Sequence, residues 1–303
     1  MRIINTDGLP APILWMLRND SYSKDGADFT ASMMVKPVQM YVLEKRHDSE
    51  IEIDAGDKLA AMIGTLLHKA LYDSYKEEVL KKNDGSEAEV RHISKVGDYL
   101  IGGKPDFYEA GPKYCWDWKY TTVWSHIFGS RQKEWEAQLN INRLLLERDG
   151  KPVDRLGVFA MYKDWSWSEN QRYGERYPHK HNVVSLPVWP LEQTEKFIIQ
   201  RANEFSAGDL VPDHLLPECT AEEMWQQPRR FAVMRDGRRA ALRVKDTEAE
   251  AVEFMRNVKK QGLLKVVERP GECKRCNYWC AAAPFCHQRE QMTNAEVLSE
   301  EAE

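Results

Sequence analysis

Nothing in the 303 residues is apolar for long enough to cross a bilayer. The apolar piece at 9–17 carries Pro10 and Pro12 and lacks a basic segment followed by a long hydrophobic run, so a secretory leader is not expected. Both absences predict a cytoplasmic protein with no membrane partner. Excess positive charge is missing too. The net charge is -5, so any contact with phosphates would have to come from local patches or bound metal ions. There is no G-x-x-x-x-G-K-[ST] loop, so ATP-driven work would need a partner. No internal repeat is visible. Cysteines number six, and in a cytoplasmic chain they read as metal ligands or buried thiols, not disulfides. A hydrophobic fraction of 42% predicts a packed core, and the length suits one large domain or a core with a smaller companion.

Residues 1–50 begin extended or irregular and turn helical at 33–46. Between 54 and 82, Leu59, Met62, Ile63, Leu66, Leu67, Ala70, Leu71 and Tyr75 recur at helical spacing, predicting one long amphipathic helix. Gly64 interrupts it, at a cost unless a close contact needs the space. Strand-like runs at 89–96, 99–108 and 114–122 read as a single meander. A helix at 130–148, a strand at 156–165, a polar aromatic loop at 166–181, a strand at 183–188 and a helix at 191–205 complete an α/β core on one sheet. Beyond Pro212, runs at 230–235 and 240–244 joined at Asp236-Gly237, then a helix to residue 260, predict a small ββα insert.

The stretch 99–122 carries the chemistry. Two apolar-aromatic runs flank Gly111-Pro112 and read as a hairpin. Side chains alternate along a strand, so Asp117 and Lys119 share a face, and Asp106 sits on the partner strand. Mg²⁺ takes hard oxygen ligands and keeps several waters, so one or two carboxylates hold it. Asp106 and Asp117 would serve, with the Trp118 carbonyl as a third ligand. Lys119 beside them could orient or deprotonate an attacking water and stabilise developing charge.

GKPD followed by Asp117-Trp118-Lys119 resembles the PD-(D/E)xK nuclease superfamily. Gly64-Thr65-Leu66-Leu67-His68 resembles the G-x-x-x-H motif of its RecB-like exonuclease branch, whose histidine is a metal ligand. Gln138, in WEAQLNINRLLLE, matches the first position of that branch's Q-x-x-x-Y, with Asn142 standing where tyrosine is expected. The order of these motifs matches over 64–142. The resemblance implies a restriction-endonuclease-like core, a central mixed sheet flanked by helices. It implies an Mg²⁺- or Mn²⁺-dependent deoxyribonuclease with His68, Asp106, Asp117 and the Trp118 carbonyl at the metal. Asp106, Asp117, Lys119 and Gln138 would be its catalytic residues.

Cys273, Cys276, Cys280 and Cys286 fall within fourteen residues, at spacings that can surround a soft metal or a cluster. Cys219-Thr220-Ala221-Glu222-Glu223, Trp225, Arg269-Pro270-Gly271-Glu272 and Arg275-Cys276 through Cys286 resemble phage-type members of the same branch, with Trp279 in place of tyrosine. That resemblance implies a [4Fe–4S] cluster on Cys219, Cys276, Cys280 and Cys286, pinning the C-terminus back onto the nuclease core. The local quartet with Cys273 is the rival ligand set, and Zn²⁺ the rival metal. Cys115 reads as core.

Arg230, Arg235, Arg238, Arg239 and Arg243 crowd the insert and form a candidate DNA-phosphate patch, or a solvated hairpin face. Trp165, Trp167, Tyr173 and Tyr177 lie among basic residues, where they could stack unpaired bases or cover the core; the covering role is preferred. The expected organisation is a nuclease core at 1–212, a linker and basic insert at 213–265, and a cysteine region with an acidic tail at 266–303. The expected activity is phosphodiester hydrolysis of DNA, exonucleolytic on single strands or ends, in phage or prophage recombination or repair. A helicase, recombinase or integrase could be a partner. The alternatives are a non-cleaving DNA-binding adaptor and a DNA-trimming factor of CRISPR-adaptation type.

Overall fold

The structure, a computed structural model, describes residues 1–19, 23–129, 131–238, 240–258 and 263–300, with side chains described through 293. The chain is a mixture of helices and mixed sheets. It divides into two compact units, Met1–Pro217 and Glu218–Glu303. The expected division at 212/213 falls five residues early. Asp213 is tied into the first unit by Arg46 at 2.5 Å and by His47 at 2.8 Å, and Leu216 is buried there.

A five-stranded sheet runs through the first unit in the order His181–Leu186, Arg155–Tyr162, Tyr114–Thr121, Phe107–Glu109, Glu87–Ala88. The pair Tyr114–Thr121 and Arg155–Tyr162 is parallel, with Asp117 opposite Val158 and Lys119 opposite Ala160; its neighbours are antiparallel. Parallel neighbours need a long crossover. The helix Gln132–Arg148 supplies it, burying Trp135, Leu139 and Leu146 against Cys115, Leu156, Val158 and Ala160. The sheet face that carries Cys115 and Asp117 therefore looks toward this helix.

The predicted meander is split between two sheets. Tyr99–Gly103 pairs with His92–Val96 on one side and Phe29–Thr30 on the other in a separate three-stranded sheet, while Phe107–Glu109 and Tyr114–Thr121 join the central one. The break is local. Gly103 passes so close to the crossover helix that a Cβ there would stand 2.4 Å from Asn142 Oδ1 and 2.6 Å from Leu145 Cδ1. Pro105 follows, without an N–H for the ladder.

The predicted helix at 33–46 is two, Ala31–Met34 and Val38–Arg46, parted at Pro37. The long helix Ala55–Lys82 forms as its periodicity predicts. The Asp54 carboxylate caps Gly56 N–H, and Asn83 ends it in the left-handed region at φ 47°. A Cβ on Gly64 would meet nothing within 4 Å, so no close contact explains that glycine. A short helix, Trp167–Tyr173, stands within the expected loop, and another, Val123–Ile127, follows the strand Tyr114–Thr121.

In the second unit Arg243–Lys245, Arg230–Arg235 and Leu264–Arg269 form an antiparallel sheet in that order. The helix Glu248–Asn257, capped by the Thr247 hydroxyl, packs on it through Ala251, with Phe231, Val233, Phe254, Met255 and Val266 around it. The insert is thus ββαβ rather than ββα, since Leu264–Arg269 supplies a third strand. The turn at Asp236-Gly237 is present, with Arg238 N–H donating to the Arg235 carbonyl at 3.1 Å, but the second strand is Arg243–Lys245 rather than 240–244, so more than two residues separate the paired strands.

Candidate metal centre

Four segments meet at one end of the central sheet. The strand Tyr114–Thr121 brings Asp117, Trp118 and Lys119; the approach to its neighbour brings Asp106; the long helix brings His68; the crossover helix brings Gln138. Asp117 and Lys119 lie two apart, so they share the face turned toward the crossover helix, where Gln138 waits. Lys119 Nζ lies 2.6 Å from Asp117 Oδ2 and 2.9 Å from Oδ1. Gln138 Nε2 donates to Asp117 Oδ1 at 3.1 Å, and its Oε1 accepts from Lys119 Nζ at 3.4 Å.

On the other side of the centre, Asp106 Oδ2 accepts the Trp118 N–H at 2.6 Å. His68 Nδ1 lies 3.1 Å from Asp106 Oδ1 and 3.4 Å from Glu89 Oε1, while its Nε2 stands 3.1 Å from the Trp118 carbonyl oxygen. Both ring nitrogens thus face acceptors. Burial pulls the imidazole pKa down, but Asp106, Glu89 and the Asp117 charge outweigh it and hold the group at about 10. The Asp106 and Glu89 carboxylates thus favour the charged form of His68.

Asp117 is almost fully buried. Burial raises its carboxyl to about 6; the Lys119 charge lowers it and the Asp106 charge raises it. Its Oδ2 meets the ammonium but receives no aligned hydrogen bond. Buried carboxylate oxygens are ordinarily satisfied. The Asp106 and Glu89 carboxylates and the Trp118 carbonyl set hard oxygens around one imidazole, which fits a small divalent cation, whereas Asp117 stands outside that group with its carboxylate held by Lys119.

Glu89 belongs to the centre and was missed in the sequence. It forms, with His68 and Asp106, a group whose ligand atoms all lie within 4.8 Å of one another. Lys104 holds its second oxygen at 2.5 Å. Burial raises the Glu89 carboxyl, but His68 and then Lys104 draw it below the ordinary range. Its backbone sits at φ 55°, an uncommon conformation for glutamate, and its N–H donates to the Asp106 carbonyl at 3.2 Å. Glu89 lies outside every motif, and the strand pattern at 89–96 placed it on a ladder. Only its odd backbone, invisible in the sequence, turns it inward.

Asn142 does not reach the centre. It is buried against Gly103, with Oδ1 unpaired, and that packing leaves no room for a tyrosine.

All the cysteines of the expected cluster lie in the second unit, so a group bound there would staple that unit to itself rather than to the core. Gln288 clamps the Cys219 backbone, its Oε1 accepting from the N–H and its Nε2 donating to the carbonyl, both at 2.9 Å. Burial pushes the Cys219 thiol up to about 12, helped by Glu223 and by the charges of Cys286, Cys276 and Cys280. Those charges act on Cys219, but among the described residues the cysteines form no group of three whose sulfurs lie within 4.8 Å of one another. Cys273 is buried, pairs by backbone with Gln226, and acts on Cys276. Cys115 is fully buried in the core.

The arginines of the insert are divided between the two sides of its sheet. Directly paired residues share a face. Arg243 lies opposite Val233 on the side that the helix covers, and Arg235 follows Val233 on that side with Nε and Nη2 buried and unpaired. Arg230 lies opposite Arg269 on the other side and pairs with Asp246 at 3.2 Å. Arg238 is exposed in the hairpin loop, and Arg239 lies outside the described residues.

No helix among the described residues is long and apolar enough to cross a membrane. No protein-family model matches the chain, and no curated protein matches it. Solved structures do match. One, the crystal structure of SSO0001, is 18% identical with a TM-score of 0.42, covering 64% of this chain and 83% of that one, a likeness too distant to assign a family or an activity.

Proposed function

We propose that the chain is a metal-dependent deoxyribonuclease of the PD-(D/E)xK superfamily, RecB-like branch. The observation that carries this reading is the convergence of His68, Asp106, Asp117, the Trp118 carbonyl and Lys119 at one sheet end, with Gln138 bridging the Asp117–Lys119 pair. Mg²⁺ or Mn²⁺ at such a donor set supplies charge neutralisation at a phosphate and acidifies water. His68, Asp106, Asp117 and the Trp118 carbonyl would hold it, with Glu89 beside them. Lys119 then offers an ammonium at the reacting end, where it can orient the attacking water and stabilise negative charge developing on the phosphate. Gln138 fixes that ammonium, and the Trp118 N–H fixes Asp106.

The second unit, in this reading, holds a [4Fe–4S] cluster on Cys219, Cys276, Cys280 and Cys286. The support is the Gln288 clamp, which ties the Cys219 backbone to the helix that follows Cys286, together with the charges of the other three thiols acting on Cys219. The adaptor alternative has no observation in its favour, since Asp106, Asp117 and Lys119 are all present and engaged with one another's surroundings.

The test is degradation of end-labelled single- and double-stranded DNA with Mg²⁺ or Mn²⁺, comparing wild type with Lys119→Ala and Asp117→Ala. Cleavage that requires the metal and is lost in both variants is the expected result. An inert wild type, or variants of full activity, would sink the catalytic reading.

A further inference from the structure

The carboxyl ends of the parallel strands Tyr114–Thr121 and Arg155–Tyr162 lie side by side, with Thr121 opposite Tyr162. Segments that leave or enter the sheet at this end are rich in aromatic rings. After Thr121 come Trp124 and Phe128; between Tyr162 and His181 come Trp165, Trp167, Tyr173 and Tyr177. Two contacts knit these segments together: Lys163 N–H donates to the Thr121 carbonyl at 2.9 Å, and Val123 N–H to Asp164 Oδ1 at 2.7 Å. Open α/β sheets commonly bind ligands beyond such strand ends.

The rings fall into two sets. Tyr177 is buried in the core and Trp165 packs against it. The others face solvent: Trp167 is 66% exposed, Phe128 51%, Tyr173 39% and Trp124 38%. Trp124 stacks on Phe128 at 5.9 Å with planes 21° apart, and Tyr173 stands edge-on to Trp124 at 6.1 Å. Trp167 stands edge-on to Trp165 at 5.0 Å. Lys180 Nζ sits 5.1 Å from the Trp165 ring and 5.4 Å from the Trp167 ring, and Arg172 lies 5.4 Å from the Tyr173 ring. The acidic groups nearby are partly committed: Asp164 caps Val123, and Glu169 faces Arg172 at 3.8 Å. A cluster of exposed rings of this size marks an interaction site rather than scattered surface residues.

We propose that Trp124, Phe128, Trp167 and Tyr173, with Lys180 and Arg172, form a binding face for single-stranded DNA, the rings stacking unpaired bases and the cations meeting phosphates. Paired bases in a duplex offer no free π-face, whereas unpaired ones do, and stacking on an aromatic side chain tolerates any base. Position fits this occupant. Lys119 is two residues before Thr121, about 7 Å along the strand, so the rings and the metal centre stand at the same end of the sheet. The proposal names the substrate of the site described above and rests on that reading for the choice of polymer.

Binding is measured without cleavage, in a Lys119→Ala parent free of added divalent metal, by anisotropy of fluorescein-labelled oligo(dT) and of a blunt duplex. Trp167→Ala and Trp124→Ala, each added to the parent, should weaken oligo(dT) binding by about 5- to 150-fold, the value of about 1–3 kcal/mol per stacked base. Duplex binding should be unaffected, and Trp167→Phe should retain most of the oligo(dT) affinity. Circular dichroism checks the fold, and Trp167, the most exposed of the rings, decides alone if Trp124→Ala does not fold. A parent that does not bind oligo(dT), a Trp167→Ala variant that binds it as the parent does, or parallel losses on oligo(dT) and duplex would each overturn the proposal. These outcomes are independent of cleavage: ring-dependent oligo(dT) binding by a chain that never cuts DNA would uphold this face and remove the catalytic reading.

Discussion

Gln138 reaches across from its helix to Asp117, donating from Nε2 to Oδ1 at 3.1 Å while its own Oε1 takes a hydrogen bond from Lys119. One neutral amide thus sits between an acid that burial drives toward neutrality and an ammonium that keeps it charged. The arrangement makes Gln138 a positioning residue whose value lies in where it holds the other two.

Gln138→Ala should lower metal-dependent DNA cleavage by about 10- to 100-fold, the usual cost of losing a group that orients a metal-site residue. The melting temperature should barely change. Steady-state kinetics on labelled single-stranded DNA check this, and an unchanged kcat would remove the positioning role.

Glu89→Gln should weaken Mn²⁺ binding by about 10- to 100-fold, because it neutralises a carboxylate that shares His68 with Asp106. Lys104 would also lose its charged partner. Isothermal titration of the metal-free protein reads the change. Equal affinity in wild type and variant would place Glu89 outside the metal centre.

Gly103→Ala should destabilise the first unit by about 1–3 kcal/mol, the ordinary cost of overpacking. Its new methyl group would press on Asn142 Oδ1 and on Leu145. Combining it with Asn142→Ala should recover part of the loss, since the closest clash is with that side chain. Denaturant unfolding of the two single variants and the double variant measures the coupling; strict additivity would contradict the close contact.

His47 links pH to stability. Hydrogen bonds donated to Asp213 first, then to Glu50, raise its pKa, and its partner Asp213 is lowered, chiefly by His47. A raised group stabilises the fold fully below its unfolded pKa of about 6.5 and loses that contribution as pH climbs through the folded value. A lowered carboxyl does the opposite: its contribution is present above its unfolded pKa of about 3.9 and lost as pH falls through the folded value. The difference in melting temperature between wild type and His47→Gln should therefore be largest between about pH 4 and 6.5 and shrink above it. A pH-independent difference would show that the pair does not hold residues 213–217 to the first unit.

Cys219→Ser should strip the visible absorbance and the iron of anaerobically purified protein, while Cys273→Ser should keep both. Cys219 is tied by its backbone to the helix after Cys286 and feels the charges of Cys276, Cys280 and Cys286, whereas Cys273 acts on Cys276. Absorbance with metal analysis decides. Zinc in place of iron would correct the cofactor, and metal loss with Cys273→Ser would correct the ligand set.

The long helix, the crossover helix and the strand at 114–121 were legible because each is a local pattern: apolar spacing of 3.6 or 2, ended by Asn83, Asp149-Gly150 or a turn. The pairing of Asp117 with Lys119 was legible for the same reason, as alternation along one strand needs no partner. The meander at 89–122 was misread because strand runs do not reveal which sheet they join. That choice was made at Gly103 by contact with Asn142 and Leu145, about forty residues away. The third strand of the second unit, Leu264–Arg269, alternates weakly and was overlooked; its pairing with Arg230–Arg235 depends on a partner across the helix.

Local order along the chain decided which side chains share a face, where helices stop, and that acid, lysine, histidine and thiol chemistry is present. Convergence was decided in three dimensions. His68 turns its Nε2 to a carbonyl 50 residues away, Glu89 approaches His68 and Asp106 through a left-handed backbone, and the Cys219 backbone is held by a glutamine 69 residues distant. Such contacts answer to packing and to the pairing of buried polar groups, and neither has a period that a one-dimensional pattern can display.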